Sequence, residues 1–312
     1  MIVVTGAAGF IGSNIVADLM MWTKEPICVC DWRCRESPNL ASHHRIRGVF
    51  DAECTPEQLH LFLEKYHDQI TAIIHMGAIS STTETDRSKL LKNNTQLTVD
   101  LWLWCAQNNK RIIYASSASV YGNNSTFWDS DHPKHMNECK PLNWYGKSKL
   151  AADIAISTLA QINMQKPKQW AALRFFNVYG PNEWHKGDQA SLITKSYGKK
   201  VIELFETEAR RDFVYVKDCS LYVLKLLESD DISGVFNIGT EEARPFEDIA
   251  SIMGAEIAYV PVPEAIKPQY QAFTKAGMSK AKRQGLWFPP TSLEDGIQDY
   301  TEKYLLGERR HR

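Results

Sequence analysis

The sequence has no long apolar run and no excess of either charge. Its 312 residues include 36 Lys and Arg against 37 Asp and Glu, which leaves a formal net charge of -1. The most apolar stretches, such as Leu97 to Ala106, include a charge such as Asp100 and fall short of the ~20 residues that a membrane span needs. Charges of both signs are interspersed along the chain. We therefore predict no nucleic-acid partner and no membrane partner.

Cysteine and histidine form no pattern that indicates a disulfide framework or a metal site. The seven cysteines are an odd number, and Cys28, Cys30 and Cys34 have a spacing that matches no familiar zinc or disulfide frame. The adjacent His43 and His44 lack a matching ligand set, so no metal is predicted. The first residues lead at once into a glycine-rich turn, which leaves no room for a secretory leader. We expect reduced thiols in a soluble, cytoplasmic protein.

The first half of the sequence alternates short β-branched runs with helical stretches. The predicted strands are Ile2 to Thr5, Ile27 to Asp31, Ala72 to His75, Arg111 to Ala115 and Ala171 to Phe175. The predicted helices are Ile11 to Trp22, Pro56 to Tyr66, Lys89 to Asn108 and Tyr145 to Met164. This alternation predicts an α/β fold with a doubly wound parallel (Rossmann) sheet.

The second half predicts a smaller, substrate-binding lobe. After about Asn177 prolines interrupt the pattern, although Phe213 to Lys217 and Val235 to Ile238 are predicted to return to the main sheet. The predicted dinucleotide-binding domain comprises residues 1–176 and about 213–250. The predicted substrate-binding domain comprises about 177–212 and 251–312, and is therefore discontinuous.

A dinucleotide motif follows the first predicted strand directly. Gly6, Gly9 and Gly12 form a G-x-x-G-x-x-G turn that opens into a helix, where the first glycine permits a tight turn and the second lets the backbone approach a pyrophosphate. The helix N-terminus offers free N–H groups to the phosphates. Asp31 lies nineteen residues after Gly12, where an acid bonds the adenosine ribose. We predict a nicotinamide dinucleotide cofactor.

The residues after the second strand bear on the choice between NADP and NAD. Asp31 disfavours a 2′-phosphate, whereas Arg33 and Arg35 could neutralise one. We predict NADP, with NAD as the alternative if the arginines are ordinary loop charges. Further on, the small residues around Gly77 would let the cofactor lie against the backbone, and Asn93 is a candidate to bond the main chain of that loop, or else an exposed helix residue.

A tyrosine and a lysine four residues apart carry the predicted chemistry. Tyr145 and Lys149 would share one face of a helix, so that an ammonium near the phenol favours its ionised form and lowers its pKa. Tyr145 is then a candidate base that takes a proton from a substrate hydroxyl. Ser117, at the end of a predicted strand, would hold the same oxygen, with Ser116 and Ser119 as alternatives.

These motifs together resemble the extended short-chain dehydrogenase/reductase family, and the resemblance runs from residue 1 to about Leu305. The glycine loop, Ser117, Tyr145 and Lys149 match its cofactor motif and catalytic triad. Within that family, four segments are similar to the epimerases of ADP-heptose: Gly77 to Glu84, Phe176 to Pro181, His185 to Gly187 and Tyr270 to Thr274. The resemblance implies oxidation at carbon 6 of an ADP-heptose-type nucleotide sugar, followed by hydride return to the opposite face.

The resemblance also implies the site residues. Tyr145 and Lys186 would serve as bases on the two faces, or Lys186 would be an exposed loop lysine. The predicted cofactor site comprises Gly6, Gly9, Phe10, Ile11, Gly12, Asp31, Trp32, Arg33, Met76, Gly77, Ala78, Ile79, Ser80, Asn93, Tyr145, Lys149, Val178 and Lys186. The predicted substrate site comprises Ser81, Asn177, Asp188, Lys195, Phe205, Glu206, Thr207, Glu208, Arg211 and Tyr270. Arg211 suits phosphate oxygens, with a structural ion pair as its alternative. A homo-oligomer, in ring-like pentamer form, is implied as well.

The sequence departs from the family pattern at four positions. Asp188 and Lys195 stand where the family usually has a small hydroxyl residue and a histidine, Met76 replaces a glutamate and Pro38 replaces a lysine. A 4-epimerase or reductase of the same family therefore stays an alternative. A dehydratase does not, because Ala118 and Ser119 occupy the positions of its acidic pair. A redox-inactive NAD(P)-binding protein is the remote alternative.

Overall fold

A seven-stranded parallel sheet forms the centre of the protein. The structure is a computed structural model that describes residues 1–32, 46, 50–124, 132–162, 165–264 and 266–306. Its strands are β1 (Ile2–Thr5), β2 (Ile27–Cys30), β3 (Ala52–Cys54), β4 (Ala72–His75), β5 (Arg111–Ser117), β6 (Gln169–Phe175), β7 (Asn177–Tyr179), β8 (Val201–Phe205), β9 (Arg210–Arg211), β10 (Phe213–Tyr215), β11 (Gly234–Ile238), β12 (Arg244–Pro245) and β13 (Glu256–Val260). The central sheet has the order β11-β6-β5-β4-β1-β2-β3. The predicted doubly wound fold is confirmed.

Helices connect these strands. They are α1 (Phe10–Trp22), α2 (Leu59–Lys65), α3 (Arg87–Leu90), α4 (Leu97–Gln107), α5 (Pro133–Asn137), α6 (Trp144–Ile162), α7 (Leu192–Ser196), α8 (Val216–Glu228), α9 (Phe246–Ile252), α10 (Ser279–Arg283) and α11 (Leu293–Tyr300). Turns of π-helix cover Leu91–Gln96 and Thr301–Leu305, and 3-10 turns cover Ala118–Tyr121, Trp184–Gln189 and Lys267–Gln269. In the part of the chain that the structure describes, no helix is long and apolar enough to cross a membrane.

The apolar runs of the central strands are buried on both faces, as a parallel sheet between helices requires. Val3, Val4, Ile73 and Ile74 are completely buried, and they belong to the neighbouring strands β1 and β4. The strand order reverses between these two strands, because β2 follows β1 on one side and β4 lies on the other. Ligands of open α/β sheets bind at such a switch point, outside the carboxyl ends of the strands.

Two expectations about the sheet were wrong. The segment Phe213 to Lys217 does not return to the main sheet, because β11 occupies the edge of β6 and β10 pairs with β7 instead. The short edge strand β3 was not predicted, and β2 ends at Cys30, one residue before Asp31. By contrast, the predicted return of Val235 to Ile238 is confirmed, since β11 pairs with β6 in parallel.

The predicted helix from Lys89 to Asn108 is not one regular helix. It begins at Arg87 and contains the π-helical turn Leu91–Gln96 before α4 continues to Gln107. A π-turn adds a residue to the helix and rotates the face that the following residues present. This rotation matters below, because two adjacent asparagines lie in the turn.

Candidate active site

A cavity of about 870 Å³ lies along the carboxyl ends of β1, β2, β4, β5 and β6. The predicted residues that line it are Gly6, Gly9, Phe10, Ile11, Gly12, Asp31, Trp32, Met76, Gly77, Ala78, Ile79, Ser80, Asn93, Ser117, Tyr145, Lys149, Asn177, Val178, Lys186, Lys195, Phe205, Thr207 and Tyr270. The predicted residues outside its lining are Ser81, Asp188, Glu206, Glu208 and Arg211. Arg33, Arg35 and Pro38 lie outside the described residues.

The glycine loop has the geometry that a pyrophosphate needs. Gly6 adopts a φ of +64°, and a Cβ there would lie 2.6 Å from the Gly77 nitrogen. A Cβ on Gly12 would overlap the Gly6 carbonyl oxygen, so helix α1 can pack closely on the loop only with glycine at this position. Helix α1 begins at Phe10 without a side-chain cap. Its first N–H groups and its dipole are therefore available to an anion in the cavity, and the residues present fit a dinucleotide.

The carboxylate of Asp31 is tied to this loop. Its Oδ2 accepts a hydrogen bond of 2.9 Å from the Ala8 N–H, which fixes the acid between the glycine turn and the end of β2. The next residue, Trp32, is 57% exposed and lines the cavity. This end of the cavity thus carries an acid and an aromatic face, as expected for the ribose and adenine of a dinucleotide.

A chain of hydrogen bonds holds the loop after β4 against the glycine turn. The Gly77 N–H donates to Thr5 Oγ1 at 3.1 Å, and Thr5 Oγ1 lies 2.7 Å from His75 Nδ1. The other ring nitrogen of His75 lies 3.1 Å from Thr98 Oγ1, which in turn donates to the Asn94 carbonyl. Burial lowers the pKa of His75 to about 3, so the imidazole is neutral and one ring nitrogen accepts while the other donates.

The asparagine that holds this loop is Asn94 and not Asn93. Asn94 Oδ1 accepts from the Ile79 N–H at 2.8 Å, and its Nδ2 donates to the Ile79 carbonyl at 2.9 Å and to Ser148 Oγ at 3.0 Å. Asn93 lines the cavity, but its amide donates to the Lys89 carbonyl of its own helix. The π-helical turn explains the difference, because regular α-helical spacing cannot say which of the two asparagines faces inward.

Ser117, Tyr145 and Lys149 come together where β5 meets α6. Ser117 is the last residue of β5 and is hydrogen-bonded to the Tyr145 side chain. The buried Lys149 ammonium donates to the Ala115 carbonyl at 2.7 Å. Of the two alternative serines, Ser116 donates to Asp153 at 2.8 Å, away from Tyr145, and Ser119 bonds Ser117 Oγ through its N–H at 3.1 Å. Ser117 is thus the serine that contacts the phenol.

The expected lowering of the Tyr145 pKa by Lys149 is not found, because burial outweighs it. Burial raises the pKa of the Tyr145 phenol, the hydrogen bond from Ser117 opposes this, and the Asp153 carboxylate raises it further. Burial also lowers the pKa of Lys149 to about 8, against the opposing effect of Asp153. Both side chains are therefore shifted toward their neutral forms, because a low-dielectric site penalises either charge.

Lys186 projects into the cavity from the 3-10 turn after β7. Its Nζ lies 5.3 Å from the centroid of the Phe10 ring, close to the start of α1. Burial lowers the pKa of Lys186, and the nearby Glu183 carboxylate opposes this shift. Lys186 is therefore partly buried and is not a fully exposed loop lysine. The contact with Phe10 leaves both a substrate-facing and a cofactor-facing role open to the ammonium.

Arg211 is a buried cation beside the cavity rather than part of its wall. It is only 6% exposed, and its guanidinium donates to the Arg210 carbonyl at 3.0 Å and to the Gln271 carbonyl. The rings of Tyr270 and Phe246, both of which line the cavity, have their centroids 5.1 and 5.5 Å from the guanidinium carbon. Among the described residues no carboxylate pairs with it. Burial lowers the pKa of Arg211, as expected for a charge without an ionic partner.

Comparison with known proteins places this architecture in a family. Residues 2–239 match the model of the NAD dependent epimerase/dehydratase family. The chain belongs to this family. Two relatives have the name ADP-L-glycero-D-manno-heptose-6-epimerase: one from Fusobacterium nucleatum is 37% identical over 99% of both chains, and one from Brachyspira hyodysenteriae is 34% identical over 97% of both.

Solved structures of family members have the same architecture. The ADP-L-glycero-D-manno-heptose-6-epimerase of Helicobacter pylori superposes with a TM-score of 0.78 at 29% identity, over 96% of this chain and 94% of that one. A UDP-glucuronic acid 4-epimerase from Bacillus cereus, in complex with UDP-glucuronic acid and NAD, gives 0.75 at 26% identity over 96% and 97%. The fold is thus common to all three chains, and both of these neighbours have the name of a sugar-nucleotide epimerase.

The substrate end of the cavity holds residues for which the sequence offered no motif. Gln189, Ser191, Glu203, Phe246 and Glu247 line it beside the predicted Lys195. They come from a 3-10 turn, a loop, β8 and the start of α9, all outside the main sheet, and no local spacing marks them. Lys195 also bonds the Asp188 carbonyl at 3.4 Å, so the two positions that depart from the family pattern are neighbours in space. Among the described residues, no cluster suited to a metal ion is found.

Proposed function

We propose that the protein is an epimerase that inverts carbon 6 of ADP-glycero-manno-heptose. The observation that carries the proposal is one continuous cavity that combines a dinucleotide loop, the Ser117–Tyr145–Lys149 group and the Lys186 ammonium. The relatives that match nearly the whole chain have the name of this activity, which supports the choice of substrate. A 4-epimerase of a UDP-sugar is the second candidate, because one such enzyme has the same fold at 26% identity.

Tyr145 is the proposed base on one face of the sugar. The glycine loop and Asp31 would hold a nicotinamide dinucleotide, which when bound would supply a hydride acceptor for carbon 6 and a positive charge. Tyr145 takes the proton of the carbon 6 hydroxyl, and Ser117 holds the oxygen within its reach. Lys149 assists as a second positive charge, and its contact with the Ala115 carbonyl fixes its position. The phenol needs both positive charges, because burial alone raises its pKa.

Lys186 is the proposed acid–base group on the opposite face. Inversion requires that the carbon 6 oxygen find a proton partner in a second position, and Lys186 reaches the cavity from an element unrelated to α6. Because burial lowers its pKa, the ammonium gives up a proton more readily than an exposed lysine. The same cation could instead hold a cofactor phosphate, and the test below separates these roles.

Arg211, Tyr270 and Phe205 are the proposed anchors of the nucleotide. The guanidinium can meet two phosphate oxygens at once, while the two aromatic rings, 5.8 Å apart in a perpendicular arrangement, offer an apolar wall for a base. Ser81, Asn177, Asp188, Lys195, Glu206, Thr207 and Glu208 complete the proposed substrate set. Asn177 accepts a hydrogen bond of 3.3 Å from Thr274, which joins two segments that resemble the heptose epimerases.

The cofactor, cellular setting and assembly are further parts of the proposal. We infer NADP over NAD from Arg33 and Arg35, with Asp31 favouring NAD. We also propose a cytoplasmic homo-oligomer, a ring-like pentamer by family resemblance. The proposed domains are residues 1–176 and about 213–250 for the dinucleotide, and about 177–212 and 251–312 for the substrate, although β10 pairs with β7.

The decisive experiment offers the purified protein ADP-D-glycero-D-manno-heptose and follows the carbon 6 configuration by NMR. We expect an equilibrium mixture of both epimers without added oxidant or reductant, since the hydride is returned. UDP-glucuronic acid and UDP-N-acetylglucosamine are the comparison substrates. Turnover of a UDP-sugar at carbon 4 with an unchanged heptose would replace the proposed function by the second candidate.

A further inference from the structure

Glu183 is a buried carboxylate at the base of the segment that carries Lys186. It is completely buried and accepts four hydrogen bonds. These come from the Gly180 N–H at 3.2 Å, the Ser191 N–H at 2.8 Å, the Ser191 hydroxyl at 2.6 Å and the Thr194 hydroxyl at 2.6 Å. Gly180 precedes residues 184–190, and Ser191 and Thr194 follow them. The Glu183 carboxylate therefore holds the two ends of this segment together.

The base of the segment is also fixed to helix α1. Asn14 donates to the Pro181 carbonyl at 3.0 Å, and Asn182 donates to Ser13 Oγ at 3.0 Å. Both α1 residues are buried in the first turns after the glycine loop. The Glu183 contacts are therefore built on the same helix that presents its N-terminus to the cofactor end of the cavity.

The segment is partly exposed, with Lys186 against the Phe10 ring and the Asp188 carbonyl bonded to Lys195 Nζ at 3.4 Å. Trp184 is 42% exposed, and Gly187 has a φ of +53° with no atom within 4 Å of where its Cβ would be. Across the cavity, Gln189 Nε2 donates to Ser81 Oγ at 2.8 Å, and both of these residues are on the protein surface. Because Glu183 holds both ends of the segment, it constrains where the residues between them, Lys186 included, can lie.

We propose that Glu183 is a positioning residue that holds the Lys186 ammonium in the cavity by closing residues 184–190 at their base. The claim about the segment stands on geometry alone, whereas its effect on turnover rests on the proposed function. Glu183 does not line the cavity and does not act on the sugar. It acts through the segment. Replacement of Glu183 should therefore lower the rate of epimerisation only in a protein that contains Lys186.

The first test measures hydrogen–deuterium exchange in Glu183→Gln. In the glutamine variant, the side-chain NH₂ would face an N–H or O–H group that now donates to Glu183. Two donors cannot bond each other, so at least one of the hydrogen bonds at the ends of residues 184–190 is lost while the side chain keeps its size. Asp218→Asn is the matched control, because Asp218 is also buried and accepts from the Thr291 N–H and hydroxyl, both at 2.8 Å, far from the cavity lining. We expect faster exchange over residues 184–191 in Glu183→Gln alone, with α1 unchanged.

The second test is a double-mutant cycle with Lys186→Met. In the presence of Lys186, Glu183→Gln should lower heptose epimerisation about 10- to 100-fold, as expected for a misplaced catalytic group. In the Lys186→Met background the same substitution should change the residual rate by less than about twofold, because the group that it positions is gone. Equilibrium binding of the dinucleotide should stay within about twofold throughout.

The outcomes separate this proposal from the proposed function. Unchanged exchange over residues 184–191, or equal losses of rate with and without Lys186, would overturn the role of Glu183. A wild-type protein that epimerises no heptose would overturn the proposed function, while the exchange experiment would still decide whether Glu183 closes the segment. If Glu183→Gln does not fold, Thr194→Val removes one of the hydroxyl donors to Glu183 at a residue outside the cavity lining, and we expect the same pattern with smaller effects.

Discussion

Replacement of Arg211 by methionine tests whether the buried guanidinium binds a phosphate. An arginine has five N–H donors, and two backbone carbonyls among the described residues take two of them. Three remain for a phosphate, enough for a bidentate contact. A hydrogen bond to a charged group contributes about 1.5–3 kcal/mol, so the loss of this contact should weaken ADP binding about 10- to 100-fold.

The assay is calorimetric titration of ADP into protein saturated with the dinucleotide, so that ADP cannot enter the glycine loop. Arg210→Met is the matched control, because Arg210 precedes Arg211 on β9 but is exposed. It removes the same charge without the proposed contact, and we expect less than a twofold change. The wild-type affinity should also fall with added salt more steeply than that of Arg211→Met, because a charge–phosphate contact is screened.

Equal losses of ADP affinity in Arg210→Met and Arg211→Met would refute the reasoning, since a general field and not a particular contact would then be responsible. An unchanged affinity in Arg211→Met would refute it as well. In that case the guanidinium would serve only the two carbonyls and the two rings, Tyr270 and Phe246, and the phosphate would bind elsewhere along the cavity.

Three further predictions concern the redox and cofactor ends of the site. Tyr145→Phe should keep its fold and its dinucleotide while epimerisation falls by ~10² or more; near-normal turnover would remove Tyr145 from the mechanism. Alanine at both Arg33 and Arg35 should weaken NADP more than NAD in equilibrium binding, and equal losses would contradict the arginine assignment. Burial lowers the pKa of Lys149 to about 8 in the folded protein, below the ordinary pKa that it has in the unfolded chain. Between these two pKa values the unfolded chain binds more protons than the folded protein, so the free energy of unfolding rises with pH. Lys149→Met should therefore be inactive yet more stable at pH 7 by about 3 kcal/mol, a gain that urea unfolding should find reduced at pH 10.

The parts of the site that could be predicted are those whose chemistry is local in sequence. The glycine loop needs three glycines within seven residues, and the Tyr145–Lys149 pair needs only the spacing of one helical turn. The predicted strand indicated a serine near its end, but only the family resemblance favoured Ser117 over Ser116 and Ser119. Such features depend on backbone geometry within a few residues, and the structure contains each of them.

The features that escaped prediction depend on partners distant in sequence. Glu183 is marked by no motif, because two of its four donors belong to Ser191, eight residues on, and its burial depends on packing. β10 was assigned to the wrong sheet because the competition for the edge of β6 is decided by β11, which comes later in the chain. The choice of Asn94 over Asn93 required the π-helical turn, which hydrophobic periodicity does not indicate.

The electrostatics of the site were the least predictable part, and they favour anionic ligands. Lys149, Lys186 and Arg211 each have a pKa lowered chiefly by burial, in a chain whose net charge is only -1. Sequence could place these cations but not the low-dielectric surroundings that destabilise their charged forms. A dinucleotide and a nucleotide sugar each bring a diphosphate, and a nearby anion favours the charged form of a buried cation. Of the three cations, Arg211 is the one to which the proposed nucleotide sugar would bring a phosphate, whereas Lys149 and Lys186 belong to the proposed reacting end of the cavity. In a chain without an overall positive field, the proposed binding of anionic ligands therefore rests on individual buried cations and on the N-terminus of α1.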